Sequence, residues 1–254
     1  MKIGITLVAT NGYFCLGLRF VRRFLHFYKG TSQITFYFFS DKDPKSYLPE
    51  YVNIHFIKTK HDNWVDGTNS KFLNIISIED ILKNEDFVAQ FDADTNISSD
   101  FDEEWFYGKG LVAGQHYADQ GRMKEEKAFD RNPKSKAYVP KKTKLPQMYY
   151  YGAFFAGDSD KFVNFCKLMR EWQLEDKKIN YEPGVNDESY INCYFHFNPP
   201  NKVVLSGNFK FDISHKGGLP DLRKSSLNLE YINDQIKKNK ERLWNIQNGK
   251  FIVE

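Results

Sequence analysis

Short apolar runs alternate with stretches of helical period along the first 94 residues of the chain. Runs of strand length and composition occupy residues 2–10, 33–39, 52–57 and 87–91. Apolar residues at a spacing near 3.6 predict one helix over residues 13–28 and another that begins near Thr68. Strands that alternate with helices are typical of α/β proteins, so the pattern predicts a doubly wound, mostly parallel sheet flanked by helices.

The second half of the chain has a less regular pattern. The polar stretch 119–143 predicts a long surface loop, and the aromatic run Tyr149–Gly157 predicts a strand. Helices are predicted over residues 159–174, 187–197 and 227–244, with a short extended segment at 203–205. The sequence contains no internal repeat, so we expect a single domain over residues 1–254.

Composition and charge exclude several classes of protein. Hydrophobic residues make up 41% of the chain, with 23 Phe and 15 Tyr, which excludes a disordered chain. A net charge of +3 does not favour a nucleic-acid partner. The cysteines lack the spacing of a disulfide framework or a zinc site and are predicted to be reduced thiols: Cys15, Cys166 and Cys193. No apolar stretch is long enough for a membrane span, and the N-terminus fits a first strand rather than a signal peptide, so the expected location is cytoplasmic.

The sharpest candidate site is Asp92-Ala93-Asp94, which directly follows the apolar strand Phe87–Phe91. Residues two apart on an extended backbone share one side, and two carboxylates there can hold a hard divalent cation against a diphosphate. The alternative is a pair of aspartates that only form a solvated turn. The preceding strand favours the metal site, because ligands bind at the carboxyl ends of the strands in such sheets.

Two further segments offer chemistry, and each has a structural alternative. Asp187 and Glu188 open a predicted helix, where they either cap it or direct a carboxylate into a cleft. Gly152 and Ala153 interrupt the bulky side chains of the aromatic run. That run is therefore either core strand or a surface whose flat rings and small-residue gap accept a sugar.

These segments, in this order, resemble the family 6 glycosyltransferases, a retaining family that includes the histo-blood-group A and B transferases and α-1,3-galactosyltransferase. Asp92-Ala93-Asp94 resembles the family's metal-binding Asp-Val-Asp, and the run from Tyr149 to Gly157 resembles its donor-selecting segment. The segment that carries the family's catalytic Glu is matched by Asp187, Glu188, Ser189, Asn192 and Tyr194. Two more family segments are matched by residues 133–140 and 202–206, and the similarity spans roughly residues 3–212.

The resemblance implies a single GT-A-like domain and a retaining α-glycosyltransferase that uses a UDP-sugar. In it, Asp92 and Asp94 would hold Mn²⁺ or another divalent cation that binds both phosphates of UDP. Glu188 would be the catalytic carboxylate, either as the nucleophile or as the charge that stabilises an oxocarbenium-like state. Contacts with the donor are implied for Val8, Ala9, Tyr13, Lys71, Tyr151, Gly152, Ala153 and Asp187. The implied organisation is a nucleotide-binding half, a donor and acceptor half, and a C-terminal loop and helix, over residues 1–94, 95–212 and 213–254.

The chain departs from the family at the acceptor motif His-Pro-Gly-Phe-Tyr, of which only His116-Tyr117 is represented. His116 is the resulting candidate for acceptor contact. His215 and Lys216 lie in a Gly-containing loop that is either simply exposed or contacts phosphate. The basic tail of the animal enzymes is not recognisable, and the missing anchor and stem fit a soluble bacterial or viral type of member.

The expected reaction transfers a hexose or N-acetylhexosamine from a UDP-sugar to an oligosaccharide or other glycan acceptor, with galactose or N-acetylgalactosamine favoured. Two alternatives stay open: a metal-dependent UDP-sugar hydrolase, and a sugar-binding protein without catalysis. A hydrolase would release free sugar at one rate with or without acceptor. A binding protein would never turn over and would keep its affinity for the UDP-sugar when Glu188 is changed.

Overall fold

The computed structural model describes residues 1–97, 99–115, 129–141 and 148–204, together with three two-residue strands further on. Three of the candidate site residues lie outside the described residues: His116, His215 and Lys216. Of the predicted helix over residues 227–244, only Trp244 is described, and it lies in a short strand.

The described elements follow the chain in an order that begins as alternating strands and helices. The strands are β1 (Lys2–Val8), β2 (Gln33–Ser40), β3 (Ile54–Lys58), β4 (Phe87–Phe91), β5 (Asn96–Ile97), β6 (Leu111–Gln115), β7 (Tyr150–Asp158), β8 (Lys202–Val204), β9 (Phe211–Asp212), β10 (Trp244–Asn245) and β11 (Lys250–Phe251). The helices are α1 (Phe14–Phe27), α2 (Trp64–Asn69), α3 (Lys71–Ile76), α4 (Glu79–Leu82), α5 (Glu103–Phe106), α6 (Ser159–Lys178) and α7 (Asn186–Phe197). Two 3₁₀ turns lie at Asn11–Tyr13 and Lys45–Tyr47.

Seven of the strands form one sheet in the order β3-β2-β1-β4-β7-β6-β8. β3, β2, β1 and β4 run parallel to one another, and β6 is parallel to β8. β7 is antiparallel to both of its neighbours, β4 and β6. The predicted α/β class, the mostly parallel sheet and the GT-A-like architecture are confirmed.

The sheet is covered on both faces, because alternate residues of a strand point to opposite sides. On one face, Phe24 of α1 packs against Phe36 of β2 and Phe91 of β4. On the other face, Phe72 of α3 packs against Phe155 of β7. All five rings are almost completely buried, so the aromatic residues that dominate the composition form the two cores.

The helix predicted from Thr68 begins four residues earlier, at Trp64, and is divided into α2, α3 and α4. Asn63 begins it, because its side-chain oxygen accepts a hydrogen bond from the Asp66 N–H at 3.0 Å and so caps the first turn. The spacing of apolar residues contains no information about this polar cap. It also does not reveal that α2 ends at Asn69 and that Ser70 separates α2 from α3. Lys71 consequently lies in the first turn of α3.

Part of the polar stretch predicted as a surface loop is packed against the fold. The fully buried carboxylate of Asp176 on α6 accepts hydrogen bonds from the Ser135 hydroxyl at 2.5 Å and the Lys136 N–H at 2.8 Å. The Tyr190 hydroxyl of α7 donates to the same carboxylate at 3.1 Å. Three apolar residues of the segment are also buried: Phe129, Ala137 and Val139. Residues 129–141 are therefore anchored to α6 and α7.

The strand β6 and the helix α5 were not predicted. Leu111–Gln115 is short and contains Ala and Gly, so it has little strand signal of its own. It is a strand because it pairs with β7 on one side and β8 on the other.

Cys15, Cys166 and Cys193 are free thiols, as the sequence predicts, and all three are buried. Among the residues that the structure describes, no helix is both long and apolar enough to cross a membrane.

Candidate active site

The two candidate metal ligands follow β4 at the carboxyl edge of the sheet. The Asp92 N–H donates to the Ala153 carbonyl of β7 at 3.0 Å, and the Thr95 N–H donates to the Asp92 carbonyl at 3.0 Å. The pair therefore does form a turn, but one fixed beside β7 at the ligand-binding edge. The Asp92 side chain is 37% exposed, and Asp94 is half-buried.

Lys71 is a buried cation that joins three parts of this edge. Its ammonium group lies 2.9 Å from Oδ1 of Asp92 and 2.6 Å from Oδ2 of Asp187. It also donates to the Gly152 carbonyl at 3.0 Å. An ammonium group has three N–H donors, so these three acceptors match its full capacity. Lys71 therefore contacts two of the protein's own carboxylates, and its contact with the donor remains a prediction.

The charges of this cluster are strongly coupled. Burial alone would lower the pKa of Lys71, but Asp187 and Asp92 outweigh burial and hold the pKa above its ordinary value. Burial raises the pKa of Asp187; Lys71 counteracts this, Asp92 adds to it, and the pKa ends above its ordinary value. Asp92 and Asp187 share one buried cation, and Asp94 interacts electrostatically with the buried cation Arg19, so these groups comprise three carboxylates and two cations.

Glu188, in the first turn of α7, is held by two donors from the β7 segment. Its Oε1 accepts a hydrogen bond from the Tyr149 hydroxyl at 2.6 Å. Its Oε2 accepts one from the Gly152 N–H at 2.8 Å. Both oxygens of the carboxylate are therefore oriented by hydrogen bonds.

Gly152 has a reason to be glycine that the sequence did not reveal. A Cβ at this position would lie 3.0 Å from the Glu188 Cβ and 3.3 Å from its Oε2. The missing side chain therefore admits Glu188 itself on that side of β7, where the sequence suggested a gap that accepts a sugar. A donor contact by Gly152 remains a prediction.

Asn192 and Asn186 fix the end of α7 that carries the two acids. The Asn192 side chain accepts from the Tyr150 N–H at 2.7 Å and donates to the Tyr150 carbonyl at 2.9 Å. This pairing docks α7 on β7 as another strand would. Asn186 has a φ of 46°, in the left-handed region that Asn tolerates, immediately before Asp187.

The predicted nucleotide-contacting residues lie where β1 ends. Val8 and Tyr13 are half-buried, and Ala9 is fully buried. The register that pairs Thr6 with Gln90 brings the end of β1 level with Asp92. These residues therefore share the carboxyl edge with the acidic cluster.

A buried histidine supports this segment. The Nδ1 atom of His61 lies 3.2 Å from the Thr10 hydroxyl oxygen, and its Nε2 atom lies 3.4 Å from the side-chain amide nitrogen of Asn74. The Asn11 amide also donates to the His61 carbonyl at 2.8 Å. His61 thus connects the turn after β1 to α3.

The structure therefore joins five predicted residues in one hydrogen-bonded network: Lys71, Asp92, Gly152, Asp187 and Glu188. The Ala153 carbonyl adjoins this network, because it accepts a hydrogen bond from the Asp92 N–H. Tyr151 is a buried residue of the same strand. Sequence analysis did not assign Tyr149 to the site. Its only signal was a place in the aromatic run, which does not indicate which ring reaches Glu188.

The carboxylates present fit a divalent cation that is shared with a substrate. In the described part of the chain no three His, Cys, Asp or Glu side chains form a complete metal cage. Mg²⁺ and similar ions bind through one or two carboxylates together with phosphate oxygens and water. Asp92 and Asp94, at an edge with excess negative charge, supply that number of ligands.

Comparison with known proteins identifies the family. The model of glycosyltransferase family 6 matches residues 1–240. The chain belongs to this family. Membership confirms the resemblance drawn from the sequence and makes the protein a glycosyltransferase that transfers hexosyl groups.

Three relatives show how family 6 sequences align with this one. O-antigen biosynthesis glycosyltransferase WbnI of Escherichia coli is 25% identical over 165 residues, covering 65% of this chain and 69% of that protein. Histo-blood group ABO system transferase 2 of Rattus norvegicus is 30% identical over 122 residues, covering 48% and 34% respectively. Globoside alpha-1,3-N-acetylgalactosaminyltransferase 1 of Gallus gallus is 26% identical over 218 residues, covering 80% and 60%.

Proposed function

We propose that this family 6 glycosyltransferase is a retaining α-glycosyltransferase that moves galactose or N-acetylgalactosamine from a UDP-sugar to a glycan acceptor. The observation that carries the proposal is the oriented carboxylate of Glu188, bonded to Tyr149 and Gly152 beside the Lys71 cluster. The name of the Gallus gallus relative, an alpha-1,3-N-acetylgalactosaminyltransferase, supports the choice of sugar.

The proposed mechanism places negative charge where the reaction develops positive charge. Departure of UDP leaves oxocarbenium character on the anomeric carbon, and the fixed carboxylate of Glu188 stabilises it or attacks it. Asp187 orients hydroxyl groups of the donor sugar while its Oδ2 remains bonded to Lys71. Asp92 and Asp94 would hold a divalent cation such as Mn²⁺, which would offset the charge on the leaving diphosphate.

The remaining predicted contacts complete the proposal. Val8, Ala9 and Tyr13 bind the uracil ring at the end of β1, and Tyr151, Gly152 and Ala153 line the donor-sugar pocket. Acceptor contact is assigned to His116, and phosphate contact to His215 and Lys216.

A screen for UDP release tests the proposed function. The protein is incubated with Mn²⁺ and each of several UDP-sugars, with and without a panel of galactoside acceptors. We expect UDP-galactose or UDP-N-acetylgalactosamine to give acceptor-stimulated release, and the product linkage to be α by NMR. Release at one rate with or without every acceptor would instead identify a hydrolase. UDP-sugar binding with no release at all would identify a binding protein.

A further inference from the structure

The hydroxyl of Tyr149 is built into the site although it lies beneath the surface. Tyr149 is fully buried, and its ring packs edge-on against Phe129 with centroids 5.4 Å apart and planes at 85°. The hydroxyl donates to Oε1 of Glu188 at 2.6 Å, a short bond of the kind formed with a charged acceptor. A rigid ring thus brings one donor to one oxygen of the carboxylate.

The second oxygen is fixed independently. The Gly152 N–H donates to Oε2 at 2.8 Å, and this donor belongs to the backbone of β7. Glutamate has three side-chain torsions, and two donors on separate oxygens restrict the carboxylate plane as well as its position. Loss of the Tyr149 hydroxyl would therefore remove one of the restraints on the orientation of the carboxylate plane.

We propose that Tyr149 is a positioning residue for catalysis, which sets the orientation of the Glu188 carboxylate toward the reacting carbon. The inference rests on the proposed role of Glu188. The position of Tyr149, enclosed by Phe129, Val139 and Cys193, makes it a residue that acts through Glu188 rather than on the substrate. Its hydroxyl should therefore affect turnover and leave donor binding unchanged.

The test compares Tyr149→Phe with Tyr37→Phe. Each change removes one buried hydroxyl and keeps the ring, but the Tyr37 hydroxyl donates to Glu85 at 2.6 Å, and Glu85 precedes β4 at the edge of the sheet opposite Asp92. Kinetics of UDP release are measured with UDP-galactose and UDP-N-acetylgalactosamine in the presence of Mn²⁺. We expect Tyr149→Phe to lower kcat about 10-fold to 100-fold and to leave the donor KM within about twofold. We expect Tyr37→Phe to leave kcat within about twofold of the parent.

An unchanged kcat in Tyr149→Phe, whether or not the KM for the donor rises, would overturn the inference. A Tyr149→Phe protein that circular dichroism shows to be unfolded would also overturn it, because the hydroxyl would then be required for folding. Glu188→Gln, assayed in parallel, separates this inference from the proposed function. If Glu188→Gln loses turnover and Tyr149→Phe does not, only the role of Tyr149 fails; if Glu188→Gln keeps turnover, the proposed function itself fails.

Discussion

Two buried or half-buried side chains define the candidate site at the scale of single residues. Lys71 supplies one positive charge to two carboxylates, and Glu188 holds a negative charge between two donors. The ion pairs of Lys71 affect the stability of the folded site, because an unpaired buried charge raises the free energy of the folded state. The hydrogen bonds of Glu188 affect the rate of reaction, because an oriented charge requires no reorganisation when the reaction proceeds. The two residues can therefore be tested by different measurements.

Replacing Glu188 should remove turnover without removing donor binding. Glu188→Gln keeps the shape of the side chain and loses the negative charge, so we expect kcat to fall about 10²-fold or more. Binding of the UDP-sugar, measured by calorimetry, should persist. Glu171→Gln, at an exposed position on α6, is the matched control and should keep parental kcat. Turnover within about threefold of the parent would remove Glu188 from the mechanism.

Replacing Lys71 should affect stability as well as activity. Lys71→Met leaves the carboxylates of Asp92 and Asp187 without their shared cation, and we expect about 3–5 kcal/mol of destabilisation in urea unfolding. Lys83→Met is the control, because Lys83 pairs at the surface with half-buried Glu79 and exposed Asp80, and the change should leave the free energy of unfolding close to that of the parent. Equal, small losses in the two variants would contradict the role given to Lys71.

At the scale of elements, the site depends on how α7 and the segment 129–141 are attached to the sheet. The Asn192 amide docks α7 on Tyr150 of β7, and Asp176 of α6 binds both the segment and α7. Asn192 and Asp176 are both buried, and each forms hydrogen bonds with more than one partner. These hydrogen bonds determine the position of a helix or segment relative to the sheet, but not its secondary structure.

Asp176→Asn tests one of these attachments. The amide places an NH₂ group among donors, so bonds from Ser135, Lys136 and Tyr190 cannot all persist. We expect a loss of about 3 kcal/mol in the free energy of unfolding and faster amide hydrogen exchange over residues 129–141. Asp160→Asn, at an exposed position in the first turn of α6, should leave that exchange unchanged. Unaltered exchange in Asp176→Asn would show that the segment is held by other contacts.

At the scale of the whole molecule, the candidate site is assembled from segments far apart in the chain. Lys71 and Asp187 are 116 residues apart in sequence, and Tyr149 and Glu188 are 39 apart. The sheet order places β1, β4 and β7 side by side. Because β7 is antiparallel to β4, the start of β7 lies at the same edge as the ends of β1 and β4. This edge, in a member of family 6, is where we propose that the metal-dependent reaction takes place.

Asp94→Asn tests the metal at that edge. A neutral amide oxygen is a poorer ligand for a hard dication, so we expect metal-stimulated UDP release to disappear while circular dichroism shows a folded protein. The parent should lose activity in excess chelator and recover it with Mn²⁺, less well with Ca²⁺. Asp100→Asn, at an exposed position that pairs with Lys29, is the control and should behave as the parent. Undiminished parental activity in chelator would remove the metal from the proposal.

The sequence by itself determined the first strands and the first helix, the α/β class, and the acids at the end of β4 and the start of α7. Strand and helix periods are local, so apolar spacing was sufficient for β1, α1, β2 and β4. The resemblance to family 6 came from short segments in a fixed order, and the family match over residues 1–240 confirmed it.

Only the tertiary structure decided what those acids contact. That Lys71 bridges Asp92 and Asp187, and that Tyr149 reaches Glu188, depends on the packing of α3 and α7 around β7. The same holds for β6, which is a strand because of its neighbours. Hydrophobic periodicity reports which face of an element is buried, whereas a hydrogen bond across the chain depends on the distance between two elements. That distance is fixed by the complete core and not by either segment.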